Sequence, residues 1–239
     1  MHPDGPVGRQ AERFELYRDA IGTLRRLGRV YECFCTRREI RDAAHAPHDD
    51  LPEGAYPGTC RQLTAHQRAE LTAQGRRPAL RLRTEGERFV LHDLIAGRYE
   101  GGTDDVVLQR GDGVPAYNLA VVVDDAAQRI SHVTRGADLL ASTPRQRLLQ
   151  QLLGLPEPVY AHVPLVLAPD GSRLAKRHGA VTLADLAARG VGPAQVLARL
   201  GAGLGLCAAD EPVTLDDLTQ RFRIEAVPPA PWSLTATDV

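Results

Sequence analysis

The sequence predicts an α/β chain: a parallel strand layer, a cysteine-bearing segment ahead of it and a helical C-terminal part. Three observations carry this. A continuous apolar run at 116–123 closed by Asp124 and Asp125, a helical stretch at 139–153 and an apolar segment at 162–167 follow one another. That is the strand–helix–strand order of a parallel layer with a right-handed crossover. Three of the four cysteines, Cys33, Cys35 and Cys60, fall within one segment, and the text beyond Leu174 is helical.

Each element has its own reason. Phe14, Tyr17, Ile21, Leu24 and Leu27 recur at three- and four-residue spacing, which predicts an amphipathic helix over 10–29 that Gly28 stops. Residues 30–35 alternate as a short strand does. Thr36 with Glu39 three residues on is a capping box and opens a second helix. Residues 44–58 are rich in His, Pro, Asp and Gly and predict a loop. A helix is expected at 64–73, and strands at 79–83, 89–94 and 106–109. The run 116–125 reads as a strand buried on both faces, and 132–134 as another strand. The helix at 139–153 opens at Ser142, Thr143 and Pro144, with proline near its first turn. Helices at 183–189, 193–200 and 215–221 follow. Pro228, Pro229 and Pro231 predict an irregular tail.

Composition sets the bounds. The 239 residues are 43% hydrophobic, 25% charged and only 5% aromatic, so aliphatic side chains fill the core. No apolar run approaches the ~20 residues that cross a bilayer. No basic head precedes an apolar stretch at the start, so the expected location is the cytoplasm. The net charge of −1 leaves only a local basic face to meet nucleic acid. Of 29 lysines and arginines only Lys176 is a lysine. An ammonium is a compact point charge, unlike the planar guanidinium fork. A solitary lysine either marks a place where that difference matters or is the chance survivor of a lysine codon.

Three constellations carry chemistry. Cys33-Phe-Cys35 followed by Tyr56-Pro-Gly-Thr-Cys60 offers three thiolates to one metal ion. The spacing leaves the fourth ligand open among His45, His48 and Tyr56. Three semi-buried cysteines that bind nothing are the alternative, and Cys207 reads as a core residue on a helical stretch. Second, Ala168-Pro-Asp-Gly-Ser-Arg-Leu-Ala-Lys-Arg-His178 places Arg173, Lys176 and Arg177 on a turn after a strand. Such a turn suits a polyphosphate, or is a solvated basic loop. Third, Tyr117 lies beside the apolar run, and Arg135 is expected just past a strand end, where α/β sheets bind ligands. An arginine there grips a carboxylate, or pairs structurally with Asp138 or Asp124.

These segments together resemble a known family. Arg173-Leu-Ala-Lys-Arg177 is similar to the Lys-Met-Ser-Lys-Ser/Arg signature of class I aminoacyl-tRNA synthetases. Tyr117-Asn-Leu-Ala-Val-Val-Val-Asp-Asp125 and Thr134-Arg-Gly-Ala-Asp-Leu-Leu140 resemble glutamate-binding segments of the glutamyl branch. Gly5-Pro-Val, Arg9-Gln10, Tyr31-Glu-Cys-Phe-Cys-Thr-Arg37 and Tyr56-Pro-Gly-Thr-Cys60 resemble the glutamyl-Q tRNA(Asp) synthetases in particular. The resemblance runs from about Asp4 to Leu234. It implies a Rossmann-like nucleotide-binding fold and tRNA-independent activation of L-glutamate by ATP with Mg2+. It also implies transfer of glutamate to queuosine in the anticodon of tRNA(Asp). The implied Zn2+ ligands are Cys33, Cys35, Tyr56 and Cys60. Glutamate falls to Tyr117 and Arg135. ATP falls to Arg173, Lys176 and Arg177, with Lys176 as the catalytic cation. The implied state is a cytoplasmic monomer with no membrane partner.

By the same resemblance, 1–32 is a helical remnant of the first half of the nucleotide-binding fold and 33–110 a zinc-bearing, acceptor-binding-like insert. The second half with the basic loop is 111–178, and 179–239 is helical with no anticodon-binding domain. Two departures stand out. Arg173 and Ala175 replace the family's usual lysine and serine. The family's opening strand and His-Ile-Gly-His-like signature do not precede Asp4. His45-Ala-Pro-His48 has that histidine spacing but carries Pro47 in place of glycine. The expectation is that part of the ATP and glutamate pocket is missing from this chain. A catalytically impaired, zinc-bearing tRNA-binding remnant is the alternative to the active enzyme.

Overall fold

A computed structural model of the chain describes residues 5, 7–43, 55–168, 170–172 and 182–233. The chain divides into two compact units. The first comprises residues 1–91, 100–131 and 141–158, and the second 92–99, 132–140 and 159–239.

The first unit is built on helices and an antiparallel sheet. Helix α1 (Phe14–Arg26) buries Tyr17, Ile21 and Leu24, one face at the spacing of the helical repeat. Its end is tied by Gly28, at φ 72°, whose amide donates to the Arg25 carbonyl while that of Arg29 reaches Leu24. Strand β1 (Val30–Cys33) pairs antiparallel with β2 (Ala79–Leu82), placing Cys33 opposite Ala79. Between them run α2 (Arg37–Ala43) and α3 (Ala65–Ala73). The Thr36 and Glu39 capping box forms as expected: each side chain accepts the other residue's backbone amide. Thr64 and Gln67 do the same for α3. Strand β3 (Arg88–Asp93) pairs with β4 (Gly97–Gly102), and β5 (Val107–Gln109) completes the sheet on β2.

The expected strand at 116–125 is a helix, α4 (Tyr117–Ala127). A short apolar run buried on every side has no period to betray its type. Here Leu119, Ala120, Val122 and Val123 are buried in the main core with Tyr17, Leu108, Leu148 and Leu149. Asp124 closes the helix onto α1: it accepts from the Tyr17 hydroxyl at 2.8 Å and Gln10 Nε2 at 3.0 Å, and pairs by charge with Arg13, whose Nε lies 2.8 Å away. Burial, then this carboxylate, push the Tyr17 phenol up to about 12. Helix α5 (Thr143–Leu153) adds Leu148 and Leu149 to the core and opens on Pro144.

The second unit holds the parallel pair. Strand β6 (His132–Gly136) pairs in parallel with β7 (Val159–Val163), in a register that sets Arg135 opposite His162. The strand–helix–strand order is real, but its first strand is β6. The expected strand at 162–167 is split: β7 ends before Pro164, which lacks an amide, and β8 (Val166–Leu167) follows. The tail contributes a short strand, β9 (Trp232–Ser233), parallel to β8. The helical part appears as α6 (Leu183–Ala188), α7 (Pro193–Gly203) and α8 (Leu215–Arg221). Ala198, Val213 and Leu218 form its core. Cys207 packs there from a turn after α7, its thiol donating to the Ala198 carbonyl, not from a helix. Among the described residues no helix is long and apolar enough to cross a membrane.

Candidate functional site

The sulfur cluster is assembled by β1 and the turn after Tyr56. The Sγ atoms of Cys33, Cys35 and Cys60 lie within 4.8 Å of one another, and Cys35 and Cys60 are 3.4 Å apart. The Tyr56 hydroxyl sits among them, 3.3 Å from Cys33 Sγ and 3.6 Å from Cys35 Sγ. A tetrahedral zinc with ~2.3 Å bonds to sulfur and ~2.0 Å to oxygen spaces its ligands by about 3.5–3.8 Å. The donor set and its spacing fit such an ion. His45 and His48, the other candidates for the fourth position, lie outside the described residues. With no ion present, burial pushes the Cys35 thiol up to about 12 and carries the Tyr56 phenol above its usual range. Burial also opposes ionisation of Cys60, but hydrogen bonds from Tyr56 and the Phe34 backbone outweigh it and hold this thiol low. Holding all three sulfurs as thiolates at one place calls for a cation.

Two adjacent acids brace this cluster from below. Asp104 accepts the Tyr56 backbone amide at 3.0 Å and pairs with Arg145. Asp105 accepts from the Tyr31 hydroxyl at 2.6 Å and from Thr84 through both backbone and hydroxyl, and forms an ion pair with Arg61 at 3.2 Å. Arg81, buried, donates to the Asp105 carbonyl at 2.7 Å and stacks its guanidinium 3.7 Å above the Tyr56 ring. None of these braces was singled out from the sequence. The pair Asp104-Asp105 sits in a chain with many acids, and nothing local marks it as buried.

In the second unit, Arg135 lies within β6 and not beyond its end. Its Nε donates to His162 Nε2 at 3.0 Å, and its guanidinium lies 5.4 Å from the Tyr160 ring centre. His162 Nδ1 is 2.6 Å from Asp93 Oδ2, and both side chains are fully buried. Because Nε2 accepts, Nδ1 carries the proton. Burial first, then the Arg135 charge, lower the His162 pKa against the pull of Asp93 and Asp138, so the ring is neutral. Burial would raise the Asp93 carboxyl, but the amides of His162, Ile95 and Ala96 and the imidazole hold it below the usual range. His162 and Asp93 are functional candidates that the sequence reading missed. A lone histidine in an apolar run carries no spacing signal.

Tyr117 is the first residue of α4 in the first unit and is 57% exposed. Arg173, Lys176 and Arg177 lie outside the described residues. The cysteine cluster is thus the one predicted ligand set whose members are brought together among the described residues.

The family model described as tRNA synthetases class I (E and Q), catalytic domain, matches residues 1–239. Glutamyl-Q tRNA(Asp) synthetase of Nocardia farcinica (strain IFM 10152) is 59% identical over 232 residues, which are 97% of this chain and 73% of that protein. The protein of that name from Symbiobacterium thermophilum is 47% identical over 241 residues, covering 99% of this chain and 74% of its own length. Among solved structures, glutamate-tRNA synthetase from Elizabethkingia anophelis is similar, with a TM-score of 0.77 and 25% identity. That match covers all of this chain and 56% of the other, so the chain spans about half the length of that structure. The fold is the class I synthetase fold.

Proposed function

Since the chain belongs to the class I tRNA synthetases for glutamate and glutamine, and within them to the glutamyl-Q tRNA(Asp) synthetases, we propose that it activates glutamate with ATP and passes it to queuosine in the tRNA(Asp) anticodon. The observation that carries the reading is its similarity over nearly the whole chain to relatives of that name. A carboxylate oxygen of glutamate attacks the α-phosphorus of ATP. An acyl–phosphate bond forms, the α–β bridging bond breaks and pyrophosphate leaves. A queuosine hydroxyl then attacks the acyl carbon and AMP leaves, giving the ester.

In this reading Tyr117 and Arg135 hold glutamate, the arginine by charge-assisted hydrogen bonds. Arg173, Lys176 and Arg177 balance the charge that builds on the phosphate oxygens as pyrophosphate departs. Lys176 serves as the point charge the arginines cannot replace. Ala175 offers no hydroxyl to a phosphate, which changes the rate and not the reaction. Mg2+ enters with ATP and screens its phosphates. Cys33, Cys35, Tyr56 and Cys60 hold zinc, which supplies a structural cross-link when bound. Residues 33–110 form the zinc-bearing insert, 1–32 and 111–178 the nucleotide-binding fold, and 179–239 the helical part. The setting is the cytoplasm.

Pyrophosphate exchange into ATP tests this. Exchange is expected to require glutamate and not tRNA. Lys176→Ala should lower it by about 100-fold, the loss typical of one transition-state donor, while glutamate binding stays near the parent's. No glutamate-dependent exchange by the full chain, or equal loss of exchange and binding in Lys176→Ala, overturns the assignment.

A further inference from the structure

We propose that Asp93 and His162 are positioning residues for Arg135, fixing its guanidinium for the carboxylate of glutamate. The inference rests on the reading above, in which Arg135 binds that carboxylate.

The geometry is a relay of three charged or polar groups. The parallel register of β6 and β7 sets Arg135 and His162 side by side. The arginine Nε–H meets the imidazole Nε2 at 3.0 Å. An imidazole accepts there only when it is neutral and its proton is on Nδ1. Asp93 enforces that tautomer at 2.6 Å. Asp93 is itself held by backbone amides of Ile95 and Ala96 at 3.0 and 2.8 Å and of His162 at 2.9 Å. A carboxylate tied to so many main-chain groups does not turn, so the ring it orients does not turn.

The other constraint is the Tyr160 ring. It lies under the arginine, 5.4 Å from Cζ, and is stacked near-parallel with His162 at 6.0 Å between ring centres. One contact holds Nε, and a second places Cζ over the Tyr160 ring. Together they restrict where the fork can lie. A carboxylate is recognised by a fork only in its plane, so orientation is what such a site must supply. A flexible arginine would have to give up its rotamer freedom each time it bound. The same logic holds a metal-binding imidazole in one tautomer through an acid behind it.

A purely structural role for Asp93 and His162 would be to tie the turn between β3 and β4 to β7. Two substitutions separate the roles, because the amides of asparagine and glutamine replace different ring nitrogens. His162→Asn keeps a donor toward Asp93 and removes the acceptor facing Arg135. His162→Gln keeps an acceptor near the Nε2 position. Glutamate and ATP affinities of the full chain, by equilibrium dialysis with labelled ligand, are the readout. His162→Asn is expected to weaken glutamate binding about tenfold, the scale of releasing an arginine side chain, with ATP affinity held. His162→Gln should recover most of that loss. In an Arg135→Lys background, which lacks Nε–H, His162→Asn should add nothing.

Glutamate binding that is insensitive to His162→Asn but lost in Arg135→Ala overturns the proposal alone. Glutamate binding unaffected by Arg135→Ala overturns the proposal together with the reading beneath it. Nitrogen NMR of the wild-type imidazoles covers the case of variants that do not fold. His162 is expected to show a protonated Nδ1 and a bare Nε2 near neutral pH. A proton on Nε2 breaks the relay and overturns the proposal whatever the variants do.

Discussion

A carboxylate taken out of water is costly unless its lone pairs are filled, and this chain buries Asp93, Asp104, Asp105 and Asp124. Each has at least one partner distant in sequence: Asp124 has Arg13 and Tyr17, Asp104 has Arg145, Asp105 has Tyr31, and Asp93 has His162 sixty-nine residues on. Such acids read as surface in one dimension, since neither period nor spacing brings residue 93 to residue 162. The cysteines were legible because their ligands come in a tight local pattern. Residue-scale physics also fixes a pH dependence. His162 is held neutral by burial and by Arg135, so its folded pKa is depressed. The unfolded chain then binds the proton more readily. The stability tied to this ring is complete above about pH 6.5, the unfolded value, and is lost as pH falls through the lower folded value. Asp93, also depressed, adds a loss at more acidic pH in the same direction. Thermal melts of the wild type should therefore drop between pH 7.5 and 5.5, and those of His162→Gln should drop less. Parallel curves would show that His162 is charged in the fold.

Helix ends show which elements the sequence could announce. Helices α1 and α5 close on Gly28 and Gly154 at φ 72° and 65°. Helix α4 closes the same way, with Arg129 at φ 58°. Its amide donates to the Ala126 carbonyl and that of Ile130 to Asp125, the paired bonds of a left-handed helix cap. Without glycine there, no stop signal stood after 116–125, and the run passed for a strand. Strand β4 was missed for the converse reason: its glycines and lack of branched side chains argue against a strand, and pairing with β3 overrides that. The cap at Thr36 was legible because Glu39, three residues away, makes it. An L-residue in the left-handed region costs about 1–2 kcal/mol, and glycine returns about 0.5–1 of that in chain entropy. Arg129→Gly should thus stabilise the chain by about 0.5–1 kcal/mol and raise its melting temperature by about 1–4 °C. A fall in calorimetric melting temperature would mean that the arginine side chain supports the fold.

Across the whole molecule, stability is unevenly spread. In the first unit the main core joins α1, α4, α5, β2 and β5 through aliphatic side chains. The segment around the sulfur cluster has a small core of its own, Tyr31, Cys33, Tyr56 and Cys60, with Cys35, Ile40 and Leu63 at its edge. A core that small needs another bond to hold it, and a metal supplies folding energy directly where apolar burial is short. The class of fold was legible in the sequence from the order of its motifs. This division of labour was not, because it depends on which side chains share a cluster. Cys60→Ser should abolish tight zinc binding, read by native mass spectrometry. It should also speed amide exchange about tenfold or more in 30–36 and 55–63, since a local opening that loses even 1.4 kcal/mol is ten times more frequent. Exchange in α1, α4 and α5 should stay slow, because their contacts do not pass through the sulfurs. Retained zinc would remove Cys60 from the ligand set, and faster exchange throughout the unit would make the two cores one cooperative body.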